Sequence, residues 1–397
     1  MNRPPGITSK EFLTKLQILR TVLDSQGYNA IYLQSEGALR WLTGMHHQVI
    51  DISPDSETTV QAIVSIKKQQ PEIFLLSMPW EKARVIDVIK TGIWNGTKIQ
   101  VTYVDAMPNN SLLMLTPDNP QYTEIERAVV SPLAEGVNGN QFAKLTWLIG
   151  ESRKALLDCS QLLKKGMNGW EVRNLLFSIY HKRGIELNLV MVGLSGMERH
   201  LHPVYNERSF VEAGCMVKLV VGARYGEMFH SASQLVKFAA EPTEFEKRVH
   251  FGLQDTALGY ADAFREGQTE GELYNALAEV FKTAAKKHGL PGFEGSAYLH
   301  HPGGPLSPLG NREFIISKDG KRKIIPYAQF AVNPVDCLAF LKFELQGMVQ
   351  PHSQPLIFDE FSQVNRDKNC FDIREFYGRQ LKLPTILSCS GFSESGK

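Results

Sequence analysis

Histidines, an asparagine and a glutamate stand beside turn-forming residues at points along this chain where proton transfer and amide recognition could be carried out. His202 precedes Pro203, and His300 and His301 precede Pro302-Gly303-Gly304. Asn333 precedes Pro334, with Glu344 in the strand-like run that follows. An imidazole with its ordinary pKa of about 6.5 gives and takes a proton near neutral pH, so His202 reads as a general acid or base. The plain alternative is a structural histidine beside a turn proline. Paired histidines before two glycines are uncommon in a plain turn, and Gly303 and Gly304 would let backbone approach a ligand closely. Against that, one histidine could bond backbone while the other faces solvent. Glu344 sits with Phe340, Leu341 and Phe343. A carboxylate there lies on an exposed face or is buried with a partner, and the partnered reading is adopted. Asn333 can hold a carbonyl or amide, or simply end a strand. Arg224 and Glu227 read as turn surface, and Lys318 to Lys323 as a charged turn.

The elements that must position these residues follow from periodicity. Phe12, Leu13, Leu16, Leu19 and Leu23 recur at helical spacing over residues 9–27, and Gly27 suits the end of that helix. Strands are expected at 30–33, 60–66, 71–76 and 99–104, with a helix over 79–90, giving a small α/β domain with a mixed sheet. Residues 105–140 are rich in Pro, Asn and Gly and mark a boundary. Helices are then expected at 141–165 and 170–183, and again at 241–264 and 269–288. Each pair leads into apolar strand-like runs, at 216–221 with 228–238 and at 314–316, 329–332 and 338–349. That recurrence suggests an internal duplication. After Pro351 no period is clear, and residues 351–397 read as an arm of uncertain packing.

With 397 residues, two domains are expected, and 43% hydrophobic and 21% charged content is ordinary for a globular chain. A net charge of +1 favours neither nucleic acid nor an acidic membrane surface. The five cysteines have no CxxC spacing and read as free thiols in a reducing compartment. No signal peptide or membrane span is evident, so the cytoplasm is expected.

In the order of its motifs the chain resembles the pita-bread hydrolases: methionine aminopeptidases, Xaa-Pro aminopeptidases and dipeptidases, and creatinase. Leu39-Arg-Trp-Leu-Thr-Gly44 is similar to a segment of the creatinase-type N-domain. His202-Pro203, Gly214 to Gly222, His301 with Gly303-Gly304, Asn333-Pro334 and Glu344 follow the order of the catalytic domain. The resemblance implies an α/β N-terminal domain over 1–135, an α+β pita-bread domain over 141–350, and a homodimer in which His46 and His47 could reach a neighbouring subunit. It also places Val220, Ser231 and Asn333 where metal-binding carboxylates are expected, and Pro308 where many members have a second histidine. Val offers no donor, while Ser and Asn offer neutral oxygens. Two divalent cations within about 4 Å of each other need several anionic oxygens to offset their repulsion, so no dinuclear centre and no cofactor are expected. Creatinase also works without metal, but this chain departs from it at Ser233, where a catalytic Glu would fall.

The implied activity is that of a creatinase- or Xaa-Pro-peptidase-like hydrolase, metal-independent, cleaving a C–N bond of a small amide, guanidino or dipeptide-like substrate. His202, His301 and Glu344 would be catalytic; His300, Asn333, Lys218 and Ser231 would bind substrate. Alternation puts Lys218 on the same face as Val220, where its ammonium could replace a metal's charge, or equally lie on a solvated face. The partners expected are a small-molecule or short-peptide substrate and a second copy of the chain, with no nucleic acid and no membrane. Two alternatives stand: an inactive pita-bread module that binds a peptide, protein or small ligand, and a single-metal aminopeptidase-like enzyme using His301 and Glu344 with His202 or His230.

Overall fold

The computed structural model describes residues 7–28, 30–43, 57–65, 72–77, 98–103, 139–197, 200, 202–203, 205–290, 303–307, 310–311, 316–336, 341–350, 355–357 and 370–389. The chain divides into two compact units, the first being Met1–Lys144 with Gly226–Met228 and Ser307–Asn311, the second the remainder.

In the first unit, α1 (Ser9–Ser25) starts where the Thr8 hydroxyl accepts from the Glu11 backbone N–H at 3.2 Å. Its buried stripe is Phe12, Leu16, Leu19 and Leu23, and Gly27 follows at a φ of 76° that suits glycine. Strands β1 (Ala30–Ser35), β2 (Glu57–Ser65), β3 (Glu72–Ser77) and β4 (Lys98–Tyr103) form one sheet in chain order. The first two pairings are antiparallel and the β3–β4 pairing is parallel, so the sheet is mixed as expected. The Leu39–Thr43 run belongs to a short helix, α2 (Glu36–Thr43), whose Leu39, Trp41 and Leu42 join α1 in the core. The helix expected over 79–90 lies outside the described residues.

This unit also buries a cluster of four charges. Lys15 Nζ is 3.1 Å from Glu11 and 3.4 Å from Glu227, and donates to the Trp41 carbonyl at 2.6 Å. Lys144 Nζ is 3.0 Å from Glu11 and 2.5 Å from Glu227. Glu227 is therefore not turn surface; its turn is buried, and so is Arg224, held by Glu186 at 2.5 Å. Burial alone would raise the Glu227 carboxyl, but Lys15 and Lys144 outweigh it and hold it at about 2. Glu11 is shifted the other way, because its burial outweighs the attraction of Lys15.

The second unit is built twice over. Helices α3 (Gly139–Leu162) and α4 (Gly169–Lys182) lead into β5 (Glu186–Gly193), β6 (Met216–Tyr225) and β7 (Met228–Phe238). Helices α5 (Glu244–Ala263) and α6 (Glu270–His288) lead into β8 (Gly303–Ser307), β10 (Gln329–Val332), β11 (Val335–Asp336), β12 (Leu341–Lys342) and β13 (Leu345–Val349), the short β9 (Gly310–Asn311) between them being part of the first unit. Both α4 and α6 open on a full capping box, Asn168 with Glu171 and Thr269 with Glu272. Before each box a glycine with positive φ, Gly166 or Gly267, donates its backbone N–H to a distant extended segment, at Val211 or Ile324. Val211 and Ile324 bond back to Met167 and Gln268 at 2.8 Å, so the two halves repeat the same docking contacts. The internal duplication read from the helix pairs is thus present in the backbone.

Two main sheets result, ordered β17-β7-β6-β5 and β14-β13-β10-β8, where β14 is Pro355–Ile357 and β17 is Leu387–Cys389. The C-terminal segment is not a loose arm where it is described. Strands β15 (Phe371–Phe376) and β16 (Arg379–Pro384) pair as a hairpin, and β17 adds to β7 in parallel. Gln254 and His250 on α5 bond the Pro384 carbonyl at 2.9 and 3.0 Å, and Gln234 bonds that of Thr385 at 2.7 Å. These strands bury few side chains and are fixed by backbone contacts, which leaves little apolar period to read. No helix among the described residues is long and apolar enough to cross a membrane.

Because the folded-state pKa of Glu227 is depressed, its stabilisation is full above the unfolded value near 4.5 and is lost as pH falls toward 2. The stability difference between wild type and Glu227→Gln, measured by chemical denaturation, will shrink across that window. At neutral pH, Lys144→Met will destabilise the first unit by about 3–5 kcal/mol by leaving buried carboxylates under-compensated.

Candidate active site

The site is assembled where the strands of the two repeats face each other. The pairing of β10 with β13 sets Val332 against Leu345, and that of β11 with β12 sets Val335 against Lys342. Phe343 donates its N–H to the Pro334 carbonyl between them at 3.1 Å, so the ladder continues without a register shift and places Asn333 opposite Glu344. In the other repeat, Val220 lies on β6 and Ser231 on β7, both fully buried. Ser231 and Glu344 are 113 residues apart, the same offset that separates Val211 from Ile324 and Val220 from Asn333. The four positions therefore form two related pairs.

Glu344 is the centre of this arrangement. The Ser231 hydroxyl donates to its Oε1 at 2.5 Å, and Lys342 Nζ lies 3.6 Å from its Oε2, with both side chains of that ion pair 0% exposed. Lys342, Glu344 and Gln346 share one face by strand alternation. Gln346 donates to the Phe229 carbonyl at 3.1 Å and to Gln329 at 2.7 Å, while its own Oε1 accepts from the Ser231 N–H at 3.3 Å. Gln346 thereby fixes β7 against β13. Arg153 of α3, wholly buried, donates to the Ser233 carbonyl at 2.8 Å and the Glu344 carbonyl at 3.2 Å. Asn333 is 1% exposed, and neither its side-chain oxygen nor its nitrogen has a hydrogen-bond partner among the described residues.

The other expected site residues are placed as follows. His202 is exposed on the loop between β5 and β6, and the neighbouring Pro203 ring is held close to Gly193. A Cβ added at Gly193 would lie 3.1 Å from that ring and 3.2 Å from the Lys218 Cβ. Lys218 is buried, and its ammonium donates to the His200 carbonyl at 3.0 Å, so it ties down this loop. His230 is adjacent to Ser231 and so faces the other side of β7. His300, His301, His46, His47 and Pro308 lie outside the described residues. Gly303 has φ 151°, and a Cβ there would meet the Ala331 carbonyl oxygen at 2.0 Å. What presses on Gly303 is thus the neighbouring strand of its own sheet. Lys342, Arg153 and Gln346 were not singled out in the sequence. Only Lys342 left a signal there, as a charge two residues from Glu344 in an apolar run.

The donor set does not fit a pair of divalent cations. Val220 contributes hydrocarbon, Asn333 a neutral amide, and the Ser231 hydroxyl is committed to Glu344. One oxygen of Glu344 accepts that bond, and an ammonium stands beside the other. Among the described residues no group of three or more His, Cys, Asp or Glu side chains is placed to hold a metal ion.

No protein-family model matches the chain, and no curated protein matches its sequence. Solved structures do match by fold. The dipeptidase PepE from Mycobacterium ulcerans superposes with a TM-score of 0.67 at 14% identity, covering 91% of this chain and 97% of that one. The proline aminopeptidase P II from Yersinia pestis gives 0.67 at 12% identity, covering 91% and 98%. The prolidase from Pyrococcus furiosus gives 0.62 at 13% identity, covering 88% and 100%. The chain therefore has the fold of these peptidases, an α/β N-terminal domain followed by an α+β pita-bread domain, as the motif order implies.

Arg153→Met will cost about 3 kcal/mol, the scale of losing charge-assisted bonds to two buried carbonyls. Arg153→Lys will recover only part of that, since an ammonium lacks the planar fork. Equilibrium denaturation of the two variants checks both expectations.

Proposed function

We propose that the chain is a pita-bread hydrolase that cleaves a C–N bond of a small amide, guanidino or dipeptide-like substrate without a divalent-metal centre. The observation that carries this reading is Asn333: a buried amide whose donor and acceptor are unmet among the described residues is complementary to a second amide. The folds named above are those of enzymes titled dipeptidase, prolidase and proline aminopeptidase, which favours a dipeptide-like substrate among the three classes.

In this reading the Asn333 N–H donates to the substrate carbonyl, together with His301, and stabilises the oxyanion that forms when water adds to the carbonyl carbon. Glu344 orients the water or takes its proton. His202 delivers a proton to the departing nitrogen as the C–N bond breaks. Ser231, hydrogen-bonded to Glu344, keeps that carboxylate aimed, and Lys218 holds the loop that carries His202. His300 would contact substrate beside His301. A homodimer is part of the proposal, as is a reducing, cytoplasmic setting.

The competing reading is a non-catalytic module that binds a peptide, protein or small ligand at the same amide. It predicts binding without turnover. A panel of Xaa-Pro dipeptides, N-acyl amides and guanidino acids, followed by mass spectrometry of the released amine, separates the two. His202→Ala and Glu344→Gln will each lower kcat/KM by about 10²–10⁴-fold. Unchanged turnover in His202→Ala rejects its assignment. Asn333→Leu is expected to leave the free protein as stable or more so, by about 1–2 kcal/mol, while abolishing substrate binding. A destabilised Asn333→Leu would mean that the amide is already satisfied. Elemental analysis showing a stoichiometric transition metal would replace this reading with a single-metal enzyme.

A further inference from the structure

We propose that Lys342 is the resident cation of this site, doing with an ammonium what a bound metal ion would otherwise do for Glu344. An ionised carboxylate with no exposed surface is too costly to keep unless a positive charge or several donors compensate it. Glu344 is wholly buried, and Lys342 Nζ lies 3.6 Å from its second oxygen. The partner is itself fully buried, so its charge is not shared with bulk solvent. Strand alternation puts the two on one face two residues apart, a spacing the continuous ladder from β10–β13 to β11–β12 keeps rigid.

The duplication sharpens the point. At the offset relating Ser231 to Glu344, the position equivalent to Lys342 is Phe229 on β7, an apolar residue packed with Leu306 and Ala331. The lysine therefore belongs to one repeat only, the repeat that carries the carboxylate. The Lys342 ammonium offsets the carboxylate it faces. Two divalent cations brought beside the same ammonium would be repelled by it, and Val220, Ser231 and Asn333 supply no anion to offset that repulsion. Lys342 is thus a positioning residue. It keeps Glu344 charged and oriented toward the Ser231 hydroxyl, and it excludes divalent ions. Lys218, the lysine that alternation in β6 would select for this part, is committed to the His200 carbonyl.

The functional meaning of this inference rests on the reading of the site given above, but its test needs no substrate, so the two can fail separately. The full-length chain is compared with Lys342→Met, Lys342→Arg, Glu344→Gln and the Lys342→Met/Glu344→Gln pair by thermal unfolding, with and without millimolar Mn²⁺. Lys342→Met is expected to lower Tm by roughly 10 °C, the scale of leaving one member of a buried ion pair alone. Lys342→Arg, which keeps the charge, recovers most of that loss. The double variant is more stable than Lys342→Met, because the stranded charge has gone. Mn²⁺ leaves the wild-type Tm unchanged. Losses that simply add in the double variant would overturn the proposal, as would a wild-type Tm raised several degrees by Mn²⁺. If Lys342→Met does not fold, a double variant that folds sustains the proposal and one that also fails to fold overturns it.

Discussion

The second unit depends on one buried carboxylate being kept charged and aimed. Glu344 has no exposed surface, and an ion in that position is tolerated only when the surrounding groups replace the hydration it has lost. A hydroxyl from one repeat and an ammonium from the other do so. The second-layer contacts then follow. Gln346 fixes β7 against β13, and Arg153 grips the carbonyls of Ser233 and Glu344, so that the carboxylate cannot drift from its partners. Each of these bonds is worth little alone. Together they hold a polar group in an apolar interior, where a misplaced partner would be expensive.

Duplication explains why such a site can exist at all. A helix pair whose second helix opens on a capping box and docks through a positive-φ glycine has been used twice, and each copy leads into strands. Related positions from the two copies need not carry the same side chain: Val220 is related to Asn333, and Ser231 to the Glu344 it bonds. The backbone frame repeats while the side chains set on it differ. Similarity of fold at 11–16% identity fits that division, since packing constrains the frame far more tightly than it constrains the polar residues within it.

The first unit solves a comparable problem by a different route. Two lysines and two glutamates are buried together, and the pair Lys144–Glu227 carries the shortest contact. Neither glutamate could be buried alone. Pairing lowers the proton affinity of Glu227 and fails to do so for Glu11, because the two carboxylates also repel each other and burial dominates at the latter. Buried ion pairs add little net stability over a well-packed apolar alternative, but they are costly to break, and so they specify which segments must meet.

Much of this was legible in the chain itself. Helical spacing located α1 and the two helix pairs, glycines marked their ends, and the order of His-Pro, Gly-Gly, Asn-Pro and Glu implied the pita-bread frame. The residue types Val220, Ser231 and Asn333 were equally plain, since residue type is a local property. What the sequence misjudged is non-local. Glu227 read as surface because a Gly-Glu turn is polar, yet Lys15 and Lys144 bury it. Strand β5 and the β15–β17 segment show little apolar alternation, being fixed by backbone pairing. Lys218 read as an ammonium that could replace a metal's charge or equally lie on a solvated face; it is buried and bonds the His200 carbonyl, while Lys342 lies 3.6 Å from Glu344. Periodicity and capping are written within a few residues of each other, so the sequence determined the elements and their order by itself. Which charge neutralises which was decided only by tertiary structure, because that depends on which strands are brought side by side, and Coulomb energy answers to distance in space rather than along the chain.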